Sequence, residues 1–218
     1  MHAVQIQSAP PCELFPPWRR AQLAVERHAR DALLPPSELR TTGFLPPRLA
    51  ERVADWFTGE TPAPADSVRR SYRALERETA WLFGLVRGLG VGVRYVRTEG
   101  EPYGAASELS AELRRRGTMT LATIARDDPH PLLGGAEGGV VDQLRVVHDV
   151  FGHAALGVGF DLQSEFATWL QCQTLFSAAA RPAAFCELVG AVTTYVMTGD
   201  KPGLRADVPP ADLLAPPR

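Results

Sequence analysis

The stretch RVVHDVFGHAALG, residues 145–157, decides the fold and carries the two most informative histidines. It predicts a helix over residues 141–156, with His148 and His153 five positions apart. On an ideal α-helix, that spacing separates the two side chains by about 140°. A metal ion could therefore join them only beyond the helix end or where the helix distorts at Gly152, since glycine weakens a helix interior.

The segments around this stretch predict a mainly α fold. Helices are expected over 160–180 and 182–197, after a break at 157–159. Before the stretch, the pattern predicts a helix over 67–88, strands over 91–97 and 118–125 with a helix over 105–116 between them, and a loop over 127–139. The expected architecture is a helical metal-binding core with a small two-stranded β element.

Residues 1–66 differ in character, because prolines interrupt them repeatedly. Short helices are expected over 18–34 and 47–57, with the linker TPAPAD at 61–66. This predicts a proline-rich N-terminal helical arm (1–66), a catalytic metal-binding domain (67–200) and an extended C-terminal tail (201–218). We expect the arm to pack over the core, closing the pocket or forming a homodimer contact, because it carries five large apolar residues: Phe15, Trp18, Phe44, Trp56 and Phe57.

The overall composition argues against several classes of partner. The chain has 218 residues and a net charge of −2, with scattered basic residues, so no nucleic-acid partner is expected. Three cysteines without a CxxC pair predict neither a disulfide framework nor a thiolate zinc site, and they suit the cytoplasm. The longest apolar run contains Glu187 and is too short to span a membrane.

Two glutamates are candidate ligands beside the histidines. Glu187 is the only charge in an apolar helix, and a buried carboxylate is costly unless it is paired or binds a metal ion. We therefore predict His148, His153 and Glu187 as the metal ligands, with pairing of Glu187 to an arginine such as Arg145 as the alternative. Glu165 is the second choice, either as a ligand or as an acceptor for a ligand histidine.

Three further residues are weaker candidates. Asp149 follows His148 and is expected either to orient a partner or to be a helix-surface charge. Tyr103 lies in a loop, where binding residues concentrate, so we include it with Glu165 and Asp149 as a candidate catalytic residue. His130 lies in a loop as well, and there ordinary turn chemistry is the favoured interpretation.

Two histidines and one carboxylate favour a mononuclear non-heme Fe(II) oxygenase that acts on O2 and a small-molecule substrate. A zinc hydrolase with the same ligands and Glu165 as general base is the first alternative. A non-catalytic binding protein with a hydrogen-bonded histidine core is the second.

HDVFGH resembles the HELLGH-type segment of the aromatic amino acid hydroxylases, with the same histidine spacing. FDLQSEFATWL (160–170) is similar to that family's FAQFSQE stretch, and FCELVG (185–190) to its ligand glutamate segment. Over roughly residues 142–196, the resemblance implies an iron triad of His148, His153 and Glu187, with Glu165 close to the site. The family's pterin-binding segments and substrate-clamping arginine have no counterpart here, so the resemblance does not carry the tetrahydropterin cofactor to this chain.

A second resemblance covers residues 67–200. The order of PY, HPLL, VHDxFGHA, a GFD segment with a glutamate, and a later glutamate-containing helix is similar to an uncharacterised family of actinobacteria and their phages. It implies an enzyme-like domain without a defined activity, and specialised metabolism is the setting that we expect.

Overall fold

The computed structural model of the protein describes residues 45–60, 64–96, 100–123 and 129–214. The fold is mainly helical with a small sheet, which confirms the predicted class. The α-helices and strands, in chain order, are α1 (Pro47–Thr58), α2 (Asp66–Gly88), β1 (Gly92–Val96), α3 (Ala106–Arg116), β2 (Thr118–Ala122), α4 (Val140–His148), α5 (Leu162–Cys172), α6 (Arg181–Phe185), α7 (Ala191–Thr198) and α8 (Ala211–Leu214).

The two strands form a parallel pair. Their register runs from Gly92 opposite Thr118 to Val96 opposite Ala122. Parallel strands need a crossover between them, and α3 is that crossover. Gly117 ends α3 in the left-handed conformation, with φ of 62°, and lets the chain turn directly into β2.

Two predicted helices contain a π-helical segment. The predicted helix over 141–156 is α4 followed by a first π-helix, Asp149–Ala154. The predicted helix over 182–197 is α6, a second π-helix (Cys186–Gly190) and α7. In a π-helix the hydrogen bonds join residues five apart, which widens the turn, and such segments are frequent at functional sites.

Two other predicted elements differ in length. The helix expected over 160–180 ends sooner, because α5 stops at Cys172 and a 3-10 turn, Gln173–Leu175, follows it. The tail expected to be extended contains no helix or strand up to Pro210 and then forms the single turn of α8.

The core brings α5 between the two π-helices, with α4 and α7 also in contact with it. The described chain begins at Leu45, which is fixed to the first turn of α5. Leu45 N–H donates to Gln163 Oε1 at 2.7 Å, and Gln163 Nε2 donates back to the Leu45 carbonyl at 3.1 Å. These bonds hold the segment before α1 against Gln163, which lies two residues before Glu165.

Part of the predicted arm belongs to this core. The expected helix over 47–57 is α1, which packs on α7 and the second π-helix, and Phe57 is buried there. The expected helix over 18–34 and the residues Phe15, Trp18 and Phe44 lie outside the described residues. None of the helices in the described ranges combines the length and apolar character that crossing a bilayer requires.

Candidate metal centre

The first π-helix brings His148 and His153 together. A π-helix has a wider turn than an α-helix, so side chains five apart point in more similar directions than the roughly 140° separation of an α-helix allows. The two Nε2 atoms lie 3.0 Å apart, and the two rings are nearly perpendicular, at 84°. Both histidines are buried, so the pair faces the interior.

Glu165 supplies the carboxylate between these rings. It lies in the first turn of α5, whose N-terminus is capped by Asp161 through the backbone N–H groups of Gln163 and Ser164. Glu165 Oε2 is 3.0 Å from His148 Nε2, and Glu165 Oε1 is 3.3 Å from His153 Nε2. Two imidazole nitrogens and one carboxylate therefore converge on one point.

The charges of this group reinforce one another. Burial alone would raise the pKa of Glu165, but the hydrogen bonds and positive charges of His148 and His153 lower it to about 2. Burial works against protonation of His153, but Glu165 and Asp149 outweigh it and raise the pKa of that ring. The Glu165 carboxylate therefore stays ionised between the two rings, as a carboxylate ligand of a metal ion must be.

Asp149 adds a second carboxylate to the group. One of its oxygens lies within 4.8 Å of a ligand nitrogen of His148 and of His153. Asp149 keeps some exposed surface, yet protein surrounds it closely enough that lost hydration raises its pKa, against the lowering effects of His148, His153 and Arg145. The sequence left Asp149 either as a residue that orients a partner or as a helix-surface charge, and the structure places it beside the histidine pair.

Gly152 explains how α5 comes close enough to deliver Glu165. A Cβ atom at Gly152 would lie 2.7 Å from Thr168 Cβ and 3.0 Å from its Cγ2. Only a residue without a side chain lets the first π-helix and α5 approach this closely. The motif glycine is therefore a packing residue that sets the distance between Glu165 and the histidines.

Phe160 covers one side of the centre. Its ring centroid is 4.6 Å from that of His153, and its side chain is exposed, at 37%. His153 itself is only 1% exposed. Phe160 follows the glycine-containing break before α5. Sequence analysis did not select it, although an aromatic residue beside such a break could have been noted.

Glu187 takes part in a different cluster, formed by Tyr72, His130 and Glu187. Tyr72 donates to Glu187 Oε1 at 2.7 Å, and His130 Nε2 lies 3.0 Å from the same oxygen. Burial and the charge of Glu187 raise the pKa of Tyr72, so its hydroxyl stays a donor. The lone carboxylate of the apolar helix is thus satisfied by a tyrosine and a histidine. Glu165 replaces it as the carboxylate of the candidate metal centre.

The tautomer of His130 follows from its neighbours. The backbone N–H groups of Leu132 and Leu133 donate to Nδ1, which therefore carries no proton. Nε2 faces Glu187 Oε1 and the carbonyl of Arg205, both acceptors, so it carries the proton. His130 is a structural residue of its loop, as the sequence favoured.

We expect Glu187→Ala to lower the free energy of unfolding by about 1–3 kcal/mol, because Tyr72 and His130 lose a charged acceptor. They would keep only the Arg205 carbonyl, at 3.3 and 3.0 Å. Glu187→Gln keeps an acceptor oxygen and should cost less. Denaturant unfolding of both variants measures the difference, with metal content measured in parallel. Normal stability of Glu187→Ala would contradict the structural role.

The remaining candidates, Tyr103 and Arg145, form hydrogen bonds away from the histidine pair. The Tyr103 hydroxyl donates to Glu112 and accepts from the Thr120 N–H. It borders a surface cavity of about 380 Å³ along α3, and burial raises its pKa to about 12. Arg145 donates to the Ala122 carbonyl rather than to Glu187.

Neither models of known protein families, nor curated proteins, nor solved structures give a match to this chain. The chemistry of the site must therefore be argued from its own residues.

Proposed function

We propose that the protein is a mononuclear non-heme Fe(II) oxygenase that acts on a small molecule. His148, His153 and Glu165 would hold the metal ion. The observation that carries the proposal is the convergence of these three side chains in the protein interior, at 3.0 to 3.3 Å from one another. Two histidines and one carboxylate on one face of an ion are the donor set of non-heme iron oxygenases, and they leave coordination positions open.

The spacing of the donors is compatible with their binding one ion together. Two ligand atoms about 2.1 Å from one ion are about 3.0 Å apart at a right angle and about 3.4 Å apart at the tetrahedral angle. The distances from His148 Nε2 to His153 Nε2 and to Glu165 Oε2 are both 3.0 Å. The distance from His153 to the other Glu165 oxygen is 3.3 Å. Hydrogen-bonded nitrogen and oxygen atoms have similar separations, so these distances support one shared ion without choosing between iron and zinc.

Each residue of the site would have a separate role. A bound Fe(II) would supply the electron transfer that O2 chemistry requires. His148 and His153 would bind the ion through Nε2, and Glu165 would bind it through its negatively charged carboxylate. Gly152 fixes the distance between the two binding elements, and Phe160 limits the access of water to His153.

A zinc hydrolase remains the second candidate because one observation favours it. Asp149 lies beside the histidines without being needed for the triad, so it could accept a proton from a water molecule held in the site. This differs from the sequence-based version of the alternative, in which Glu165 was the general base.

The proposal includes the setting of the protein. We place it in the reducing cytoplasm, because Cys172 and Cys186 are free and buried. Burial and the charges of Asp149 and Glu165 raise the pKa of Cys172, so this thiol next to the centre stays protonated.

Metal analysis of protein purified under anaerobic conditions tests the proposal. We expect about one iron per chain, as a single triad implies, and faster O2 consumption with a mild reductant than in His153→Ala protein. One zinc per chain without iron would favour the hydrolase. Absence of any bound metal, with no uptake of added Fe(II), would overturn both candidates.

A further inference from the structure

We propose that Asp149 is a fourth protein ligand, so that the centre holds its ion with two histidines and two carboxylates. This inference rests on the proposed function, since it adds a ligand to the same site. It limits the positions left for substrate and O2 to two.

Asp149 lies close to both histidines. Asp149 is the first residue of the π-helix that aligns the histidines, and its oxygen is within 4.8 Å of a nitrogen of each of them. Two ligands on opposite sides of one ion are about 4.2 Å apart, given bonds of about 2.1 Å. The limit of 4.8 Å is close to that separation, so the Asp149 carboxylate lies near enough to share an ion with His148 and His153.

The Asp149 carboxylate is not used by other contacts among the described residues. In the described part of the chain, the Asp149 carboxylate makes neither a hydrogen bond nor an ion pair. Arg145, one helical turn earlier, gives its hydrogen bond to Ala122 and its ion pair to Glu101. Asp149 is half-buried, so its carboxylate is free to bind an ion held by the histidines.

Asp149 would also balance the charge of a bound divalent ion. A divalent ion with two neutral histidines and Glu165 alone keeps one net positive charge in the protein interior, which is costly. The negative charge of Asp149 would cancel that positive charge. Arg145, one turn earlier, adds no uncompensated positive charge, because Glu101 lies 3.5 Å from its guanidinium.

Titration of the full-length protein with Co(II) tests the inference, because the visible spectrum of Co(II) reports its coordination. We compare wild type with Asp149→Asn, which keeps the volume and removes the charge. The expected result is a Co(II) affinity at least about 10-fold lower, as even indirect ligand contacts cost 10- to 100-fold, together with a changed spectrum.

Asp142→Asn is the matched control. Asp142 lies in the same helical stretch, seven residues or about 10 Å before Asp149, and accepts a hydrogen bond from the Gly138 N–H. Asparagine keeps that acceptor, so the control removes one charge while leaving the site unchanged. Its Co(II) affinity should match that of wild type.

Thermal unfolding of the metal-free proteins separates ligation from a structural role. Without metal, Asp149→Asn should be at least as stable as wild type, since it removes a carboxylate that has no partner. A weaker Co(II) affinity that goes with a lower metal-free Tm would make Asp149 structural and overturn the inference. Unchanged affinity and spectrum would also overturn it, while leaving the proposed function intact. Wild-type protein that binds no Co(II) would overturn the proposed function as well.

Discussion

His153→Ala and His148→Ala should each lower the affinity for Fe(II) by more than about 100-fold, because replacing a group that merely supports a ligand already costs 10- to 100-fold. Each variant removes one of two nitrogens that lie 3.0 Å apart. Metal content after anaerobic purification, and Fe(II) uptake by the metal-free protein, measure the effect. Wild-type metal content in both variants would contradict the metal centre.

The two glutamates provide an internal comparison for this experiment. Glu165→Gln should lose metal as the histidine variants do, because Glu165 contacts both rings. Glu187→Gln should keep its metal, since Glu187 accepts from Tyr72 and His130. The reverse result would restore Glu187 as the ligand.

Gly152→Ala should both destabilise the protein and weaken metal binding. The added methyl group would lie 2.7 Å from Thr168 Cβ, which is closer than two non-bonded carbon atoms can approach. Such overpacking typically costs about 1–3 kcal/mol. Relief of the contact would move α5, and Glu165 with it, away from the histidines. Denaturant unfolding and Fe(II) uptake measure the two effects.

Gly84→Ala is the control for the same chemical change. Gly84 lies in α2, and nothing lies within 4 Å of a Cβ atom placed there. This substitution should stabilise the protein by up to about 1 kcal/mol, because alanine is the better helix former. Equal effects of the two substitutions would show that Gly152 is not a close-packing residue.

Local patterns predicted the regular elements of this fold well. The helix expected over 67–88 is α2, and the strands expected over 91–97 and 118–125 are β1 and β2. These elements follow from periodicity and turn residues, which are properties of neighbouring positions. The parallel direction of the strands depends on the α3 crossover and was not specified.

The candidate metal centre was predicted only in part, for a physical reason. The motif identified His148 and His153, but an α-helix would have separated them. The π-helix that aligns them depends on packing against α5, and the sequence marked it only by Gly152.

The choice of carboxylate depended on distant contacts. Glu187 looked unpaired because its sequence neighbours are apolar. Its partners, Tyr72 and His130, are 115 and 57 residues away along the chain. Glu165 appeared to be one member of a polar helix face. In the folded protein that face is an interior wall, because Thr168, Gln171 and Cys172 are fully buried.

The burial of the centre also has a consequence for the kinetics of metal exchange. His153 is 1% exposed beneath Phe160, and the Glu165 side chain is 13% exposed. An ion held there as proposed would exchange mainly when the protein opens locally, and local opening is slow compared with diffusion. The lifetime of the loaded protein in the presence of a chelator should therefore follow the opening rate near Phe160 and be independent of the chelator concentration.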